Sequence, residues 1–132
     1  EFLGWPDGLI VEGPELRADL AGAIRRHRPE VVLSINYRDS WGGPSWNHAD
    51  HRAVGAALLD AVRDAGNPWL FTDLDAEAWD GVRFVAFSGS PAPTHGVDVT
   101  DPAIVAAATR SSAADRSVSS GRSGSKPATA RS

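Results

Sequence analysis

Val31-Val32-Leu33-Ser34-Ile35-Asn36 decides the fold of this chain. It is a short apolar run without strict alternation, which predicts a strand buried on both faces, as in a parallel sheet. What flanks it fits that reading. Upstream, Pro14 stands where a first helical residue belongs, with Glu15 and Asp19 near the positive end of the helix dipole. Leu16, Leu20, Ala23, Ile24 and His27 recur at helical spacing, with Arg17, Arg25, Arg26 and Arg28 mostly around them. Pro29 predicts where that helix stops. Downstream, a second helix is expected from about Asp50 to Ala65. Its buried face is Val54, Leu58, Ala61, Val62 and Ala65, and Gly66-Asn67-Pro68 ends it.

Further along, Trp69-Leu70-Phe71, Val82 to Phe87 and Val97-Asp98-Val99 are strand candidates. Asp101-Pro102 opens a short third helix with Asp101 as its cap. Asp73, Asp75, Glu77 and Asp80 mark a solvated acidic loop, and Trp5-Pro6-Asp7-Gly8 a turn. Helices alternating with strands predict an α/β layered domain with a mainly parallel sheet, Rossmann-like in class. From Ser111 to Ser132 the chain turns to Ser, Ala, Gly, Arg and Thr. That tail carries Arg116, Arg122, Lys126 and Arg131 against Asp115 alone, leaving the preceding body at −7. Val118 is its only large aliphatic residue, so we expect residues 1–110 to fold and 111–132 to be disordered.

Composition excludes several classes of function. The net charge of −4 gives no support to a nucleic-acid or anionic-membrane role. The apolar runs are too short to span a bilayer. With no cysteine, the strong metal ligands left are His, Asp and Glu. The chain has no methionine and opens Glu1-Phe2-Leu3-Gly4. We therefore expect the N-terminal part of a larger protein to be missing, and with it any targeting signal; a cytoplasmic location is the expectation.

In an open parallel sheet, ligands bind outside the carboxyl ends of the strands. The Gly/Ser/Pro/Trp loop from Tyr37 to Asn47 leaves such an end. It leads into Asn47-His48-Ala49-Asp50-His51-Arg52, two imidazoles and a carboxylate within four residues. Extending the helix's buried face backward from Leu58 and Val54 reaches His51, which should face inward. His48 lies three residues earlier. Asp50 can accept an imidazole N–H and fix its tautomer. A neutral imidazole so held is a good zinc ligand, and a second can stabilise an oxyanion. His and Asp at a helix start also have a purely structural reading, as caps. His27 can simply oppose its helix dipole, and His95 lies in a loop.

These residues resemble the PIG-L/LmbE-like deacetylases. The likeness runs through Gly4-Trp5-Pro6-Asp7-Gly8, Pro14-Glu15-Leu16, Arg28-Pro29-Glu30-Val31-Val32-Leu33, Asn47 to Gly55 with Leu59-Asp60-Ala61, and Thr94 to Thr100, over roughly residues 1–105. The resemblance implies a zinc-dependent hydrolase that removes acetyl groups from N-acetylglucosamine-type conjugates. It implies that His51 ligates Zn2+, that His48 assists the tetrahedral intermediate or leaving amine, and that Asp50 orients His48. It also implies a carboxylate base that takes the proton of the zinc-bound water. Two departures stand out. The family's His-Pro-Asp-Asp-type motif, which carries the other ligands and the base, has no counterpart here, so the isolated chain is expected to be weakly active or inactive. Trp46 stands where some members have a tyrosine proton donor. Tyr37, Arg38, Trp46 and His95 are the candidate substrate contacts. The alternatives are a noncatalytic sugar-binding module built on Tyr37, Trp41 and Trp46, and a remnant without function.

Overall fold

A computed structural model describes residues 1–106; the expected disordered tail, 111–132, lies outside them. Glu1–Pro93 form one compact unit, and Thr94 begins a second. The first unit holds helix α1 (Pro14–His27), strand β1 (Val31–Ile35), strands β2 (Ser40–Gly42) and β3 (Ser45–Trp46), helix α2 (Ala49–Ala65) and strand β4 (Phe84–Ser88). The class is mixed α/β with a parallel sheet, as the alternation predicts.

Pro14 opens α1, and Arg28 closes it in the left-handed conformation (φ 48°) while its N–H returns to the Ile24 carbonyl. Small residues then let α1 and α2 approach closely. Ala21 and Ile24 meet Leu58, Ala61 and Ala65 in the buried core, and Leu20, Val32, Val62, Phe71, Leu74, Trp79, Val82 and Val85 close around them. Arg17 clamps the two helices with a forked ion pair to Asp64, 2.8 and 2.9 Å. That contact holds the guanidinium proton more tightly than usual.

β1 and β4 pair in parallel, Val31 opposite Phe84 through Ile35 opposite Ser88. The sheet is covered on one face only among the described residues. Val32 and Val85 face the helices, whereas Leu33 is 76% exposed and Phe84 56%. The expectation of a strand buried on both faces is corrected: β1 alternates between half-buried and exposed positions.

Three further corrections have identifiable causes. Trp69-Leu70-Phe71 is a run of turns. The buried Arg25, 4% exposed, explains why. Its guanidinium donates to the carbonyls of Asp64, Ala65, Asn67, Leu70 and Phe71 at 2.8–3.2 Å. Carbonyls held by a cation in this way are lost to a strand ladder. The same contacts finish α2: they satisfy carbonyls left open at a helix C-terminus, and Gly66 stays right-handed (φ −79°). Second, Tyr37 to Asn47 is not wholly irregular, because β2 and β3 form a small antiparallel hairpin. Third, 97–99 is not a strand; the Asp98 carboxylate takes the Thr100 N–H instead. That bond keeps the Asp98 carboxyl below its usual range. Within the second unit, Asp101 caps a helical segment over 102–106 by accepting from Ala103 N at 2.8 Å, as expected.

Candidate functional site

The candidate site forms where β1 and β4 end and α2 begins. Two asparagines build it. Asn36, just past β1, is 1% exposed, and Asn47, just before α2, is 0% exposed. Asn36 Nδ2 donates to the Ser40 carbonyl, and its Oδ1 accepts from Arg38 N. Asn47 Nδ2 donates to the carbonyls of Asn36 (2.7 Å) and Arg38 (2.9 Å), stapling the loop's two ends together. Neither asparagine stands out in the sequence as a site-shaping residue. The available signal was an Asn at each end of a long Gly-rich loop, where side-chain amides substitute for missing ladder bonds.

His51 is half-buried in the first turn of α2. Its Nδ1 lies 2.9 Å from Asn47 Oδ1. The edge of Trp41 meets its ring at 5.9 Å between centroids, and the His48 ring lies 5.7 Å away. Trp41 itself lies across the end of β4: a Cβ on Gly89 (φ +71°) would come within 2.6 Å of the indole. His51 is thus linked to the end of β4 through Trp41, and its half-buried ring agrees with the inward orientation that its helical spacing predicts. No hydrogen-bond partner occupies its Nε2 among the described residues.

His48 is the N-cap of α2. Its Nδ1 accepts the Asp50 N–H at 3.2 Å, so the neutral ring carries its proton on Nε2. The ring is largely exposed.

Asp50 takes a different part from the one its spacing implies. Its carboxylate is 4.0 Å from His48 Nδ1, beyond hydrogen-bond range. The oxygens accept instead from Gly8 N (2.5 Å) and Ile10 N (3.1 Å). Gly8 (φ +83°) sits in the turn closed by Leu9 N to the Pro6 carbonyl. Asp50 thus pins the N-terminal loop to the start of α2. Neither imidazole is bonded to the Asp50 carboxylate: His48 Nδ1 is met by the Asp50 backbone N–H, and the side chain in reach of the His51 ring is Asn47.

The other candidates are placed as follows. The Tyr37 ring packs on Phe87 at 4.6 Å and fills the space over Gly55, where a Cβ would meet the Tyr37 Cβ at 2.2 Å. Arg38 is exposed and lies over the Tyr37 ring at 5.2 Å. Trp46 is 71% exposed. Arg52 stacks on it at 4.9 Å, bonds the Asn47 carbonyl at 2.6 Å and approaches Asp39 at 3.6 Å. His27 pairs with Glu1 at 2.8 Å; bonds from His27 and then Arg26 hold that carboxyl below its usual range. His95 belongs to the second unit, where its Nδ1 meets Thr94 Oγ1 at 2.9 Å.

Among the described residues, no cluster of three metal-ligating side chains exists. They do not by themselves make a zinc cage, which ordinarily takes three protein ligands and an open position. His51 fits as a single ligand, with one ring nitrogen held and the other bare. No helix among the described residues is long and apolar enough to cross a membrane.

The family described as PIG-L, GlcNAc-PI de-N-acetylase, matches residues 1–62, which include α1, β1, the Asn36–Asn47 loop and the His48–His51 turn. The crystal structure of the conserved protein TT1542 from Thermus thermophilus is similar in fold, with TM-score 0.53 and 32% identity over 72% of this chain. This chain spans 37% of that protein. No curated protein matches. Residues 1–62 of this chain are thus similar to the PIG-L family, and the fold that carries them is similar to that of the Thermus thermophilus protein.

Proposed function

We propose that this chain carries part of a zinc-dependent N-deacetylase site acting on N-acetylglucosamine-type conjugates. The family supports a deacetylase-type hydrolase; the metal and the sugar are our reading. The observation that carries it is the His51 ring in the first turn of α2, against the Trp41 indole that lies at the end of β4, with Nδ1 bonded and Nε2 without a hydrogen-bond partner among the described residues. That is how a ligating imidazole is usually held.

The neighbouring groups suit acyl chemistry. His48 offers an Nε2–H on an exposed ring beside His51, able to donate to an oxygen that gains charge as an amide is attacked, or to the departing amine. Trp41 and Trp46 give the loop two partly exposed indoles, a surface on which a sugar ring can stack. Asp50 does not act on the substrate in this reading; its oxygens are engaged by backbone N–H groups.

Because the described residues provide one firm ligand, the chain on its own should hydrolyse slowly or not at all. The test is acetate release from an N-acetylglucosaminyl conjugate with added zinc, for the wild type, His51→Ala and His48→Ala. Any turnover is expected to be slow and to stop with His51→Ala and with chelator. Turnover indifferent to both would refute metal use at His51. No acetate release, together with N-acetyl-sugar binding that survives chelator and is lost with Trp46→Ala, would favour a noncatalytic sugar-binding module.

A further inference from the structure

We infer that Asn47 is a positioning residue that holds the neutral His51 ring as its Nδ1–H tautomer, leaving Nε2 as a bare lone pair. The inference deepens the hydrolase reading and rests on His51 lying in that site.

The donors and acceptors of Asn47 fix this tautomer. The Asn47 side chain has two N–H donors on Nδ2 and an acceptor oxygen. Both donors are used on carbonyls, those of Asn36 at 2.7 Å and Arg38 at 2.9 Å. Neither carbonyl can donate, so the amide cannot be turned over without facing oxygen against oxygen twice. Its orientation is therefore set by the backbone of the loop. Oδ1 then faces His51 Nδ1 at 2.9 Å and His48 N, also at 2.9 Å. Oδ1 can only accept. The hydrogen in the contact with His51 must come from the ring, and a neutral ring with its proton on Nδ1 has none on Nε2.

Burial makes the device stiff. Asn47 is 0% exposed, so water cannot replace a lost partner cheaply. Its own N–H goes to the Asp39 carbonyl at 2.7 Å, and its carbonyl accepts from Arg52 at 2.6 Å. Every polar atom of the residue is engaged. One residue thus ties the loop leaving β1, the first turn of α2 and the protonation of His51 together.

His48 receives the opposite setting from a different source, the Asp50 N–H on its Nδ1. Two imidazoles 5.7 Å apart then present unlike nitrogens: Nε2–H on His48, and a lone pair on His51 Nε2. The second can bind a cation or accept a proton, and the first can only donate.

The test is long-range proton–nitrogen NMR on the full chain labelled with nitrogen-15 histidine, without metal, at a pH where the rings are neutral. The expected wild-type pattern is a pyrrole-type Nδ1 with a pyridine-type Nε2 for His51, and the reverse for His48. Asn47→Ala should shift His51 toward the Nε2–H form, while His48 keeps its pattern. Asn47→Asp keeps an acceptor for Nδ1–H and should keep the His51 pattern even if it weakens the loop. A wild-type His51 of the Nε2–H type, or an Asn47→Ala variant with an unchanged His51, would overturn the inference. If Asn47→Ala does not fold, the wild-type and Asn47→Asp spectra decide it. A chain that shows the expected pattern, releases no acetate and binds an N-acetyl sugar in the presence of chelator upholds the inference while the hydrolase reading fails.

Discussion

Replacing Asp50 with Asn separates two roles for this carboxylate. Its side chain is 7% exposed and accepts from Gly8 N at 2.5 Å and Ile10 N at 3.1 Å. Hydrogen bonds to a charged partner are worth about 1.5–3 kcal/mol each. The negative charge in the first turn of α2 also meets the positive end of the helix, for roughly 0.3–1 kcal/mol. The amide retains one oxygen, so one bond survives in weakened form, while its NH2 group faces a backbone N–H and repels it. Asp50→Asn should therefore cost about 2–4 kcal/mol. Much of that cost falls on the attachment of residues 8–10, which few other bonds hold to α2. The direct assay is native-state hydrogen exchange at the Gly8 and Ile10 amides. Protection there should fall by roughly 30- to 1000-fold, since each 1.4 kcal/mol is a factor of about ten. Amides in the middle of α2 should change less. If both loop amides keep their wild-type protection while the His48 ring signals move, Asp50 serves the imidazole and does not pin the loop.

Other outcomes follow from the packing. Arg25→Ala strips the guanidinium from five carbonyls and should cost about 3–5 kcal/mol, as for breaking other buried charged networks. Arg25→Lys should recover less than half, since a point-like ammonium cannot reach five acceptors; urea unfolding within about 1 kcal/mol of wild type would contradict this. Gly55→Ala places a Cβ 2.2 Å from that of Tyr37. It should cost about 1–3 kcal/mol by overpacking, with the Tyr37 and Phe87 ring signals shifting together; unmoved rings would show that the contact is looser than described.

Much of this architecture is written locally in the chain. Pro14 and Pro29 bracket α1, and the spacing of Leu58, Ala61 and Ala65 gives the buried face of α2, because both signals act within a few residues. The strand at Val31–Ile35 follows from its apolar run, although one of its faces stays exposed among the described residues, and the half-buried placement of His51 from extending the helical face. What sequence did not disclose depends on partners far along the chain. Arg25 looks like one more surface cation among neighbours, yet it is buried because carbonyls some 40 residues away converge on it. Trp69-Leu70-Phe71 has strand composition and loses that conformation to the same guanidinium. The site shows this most clearly. Spacing alone offers Asp50 as the partner of an imidazole, but the side chain that reaches His51 is Asn47, one helical turn away, and Asp50 is drawn to the N-terminal loop by two backbone donors.

The bare Nε2 of His51 is the proposed metal ligand. Zinc titration of the histidine-labelled chain reads it directly. The His51 Nε2 resonance should move first and furthest, with the exposed His27 and His95 nearly unchanged at the same zinc concentration. A His51 ring that stays unmoved while those exposed rings respond would contradict the claim.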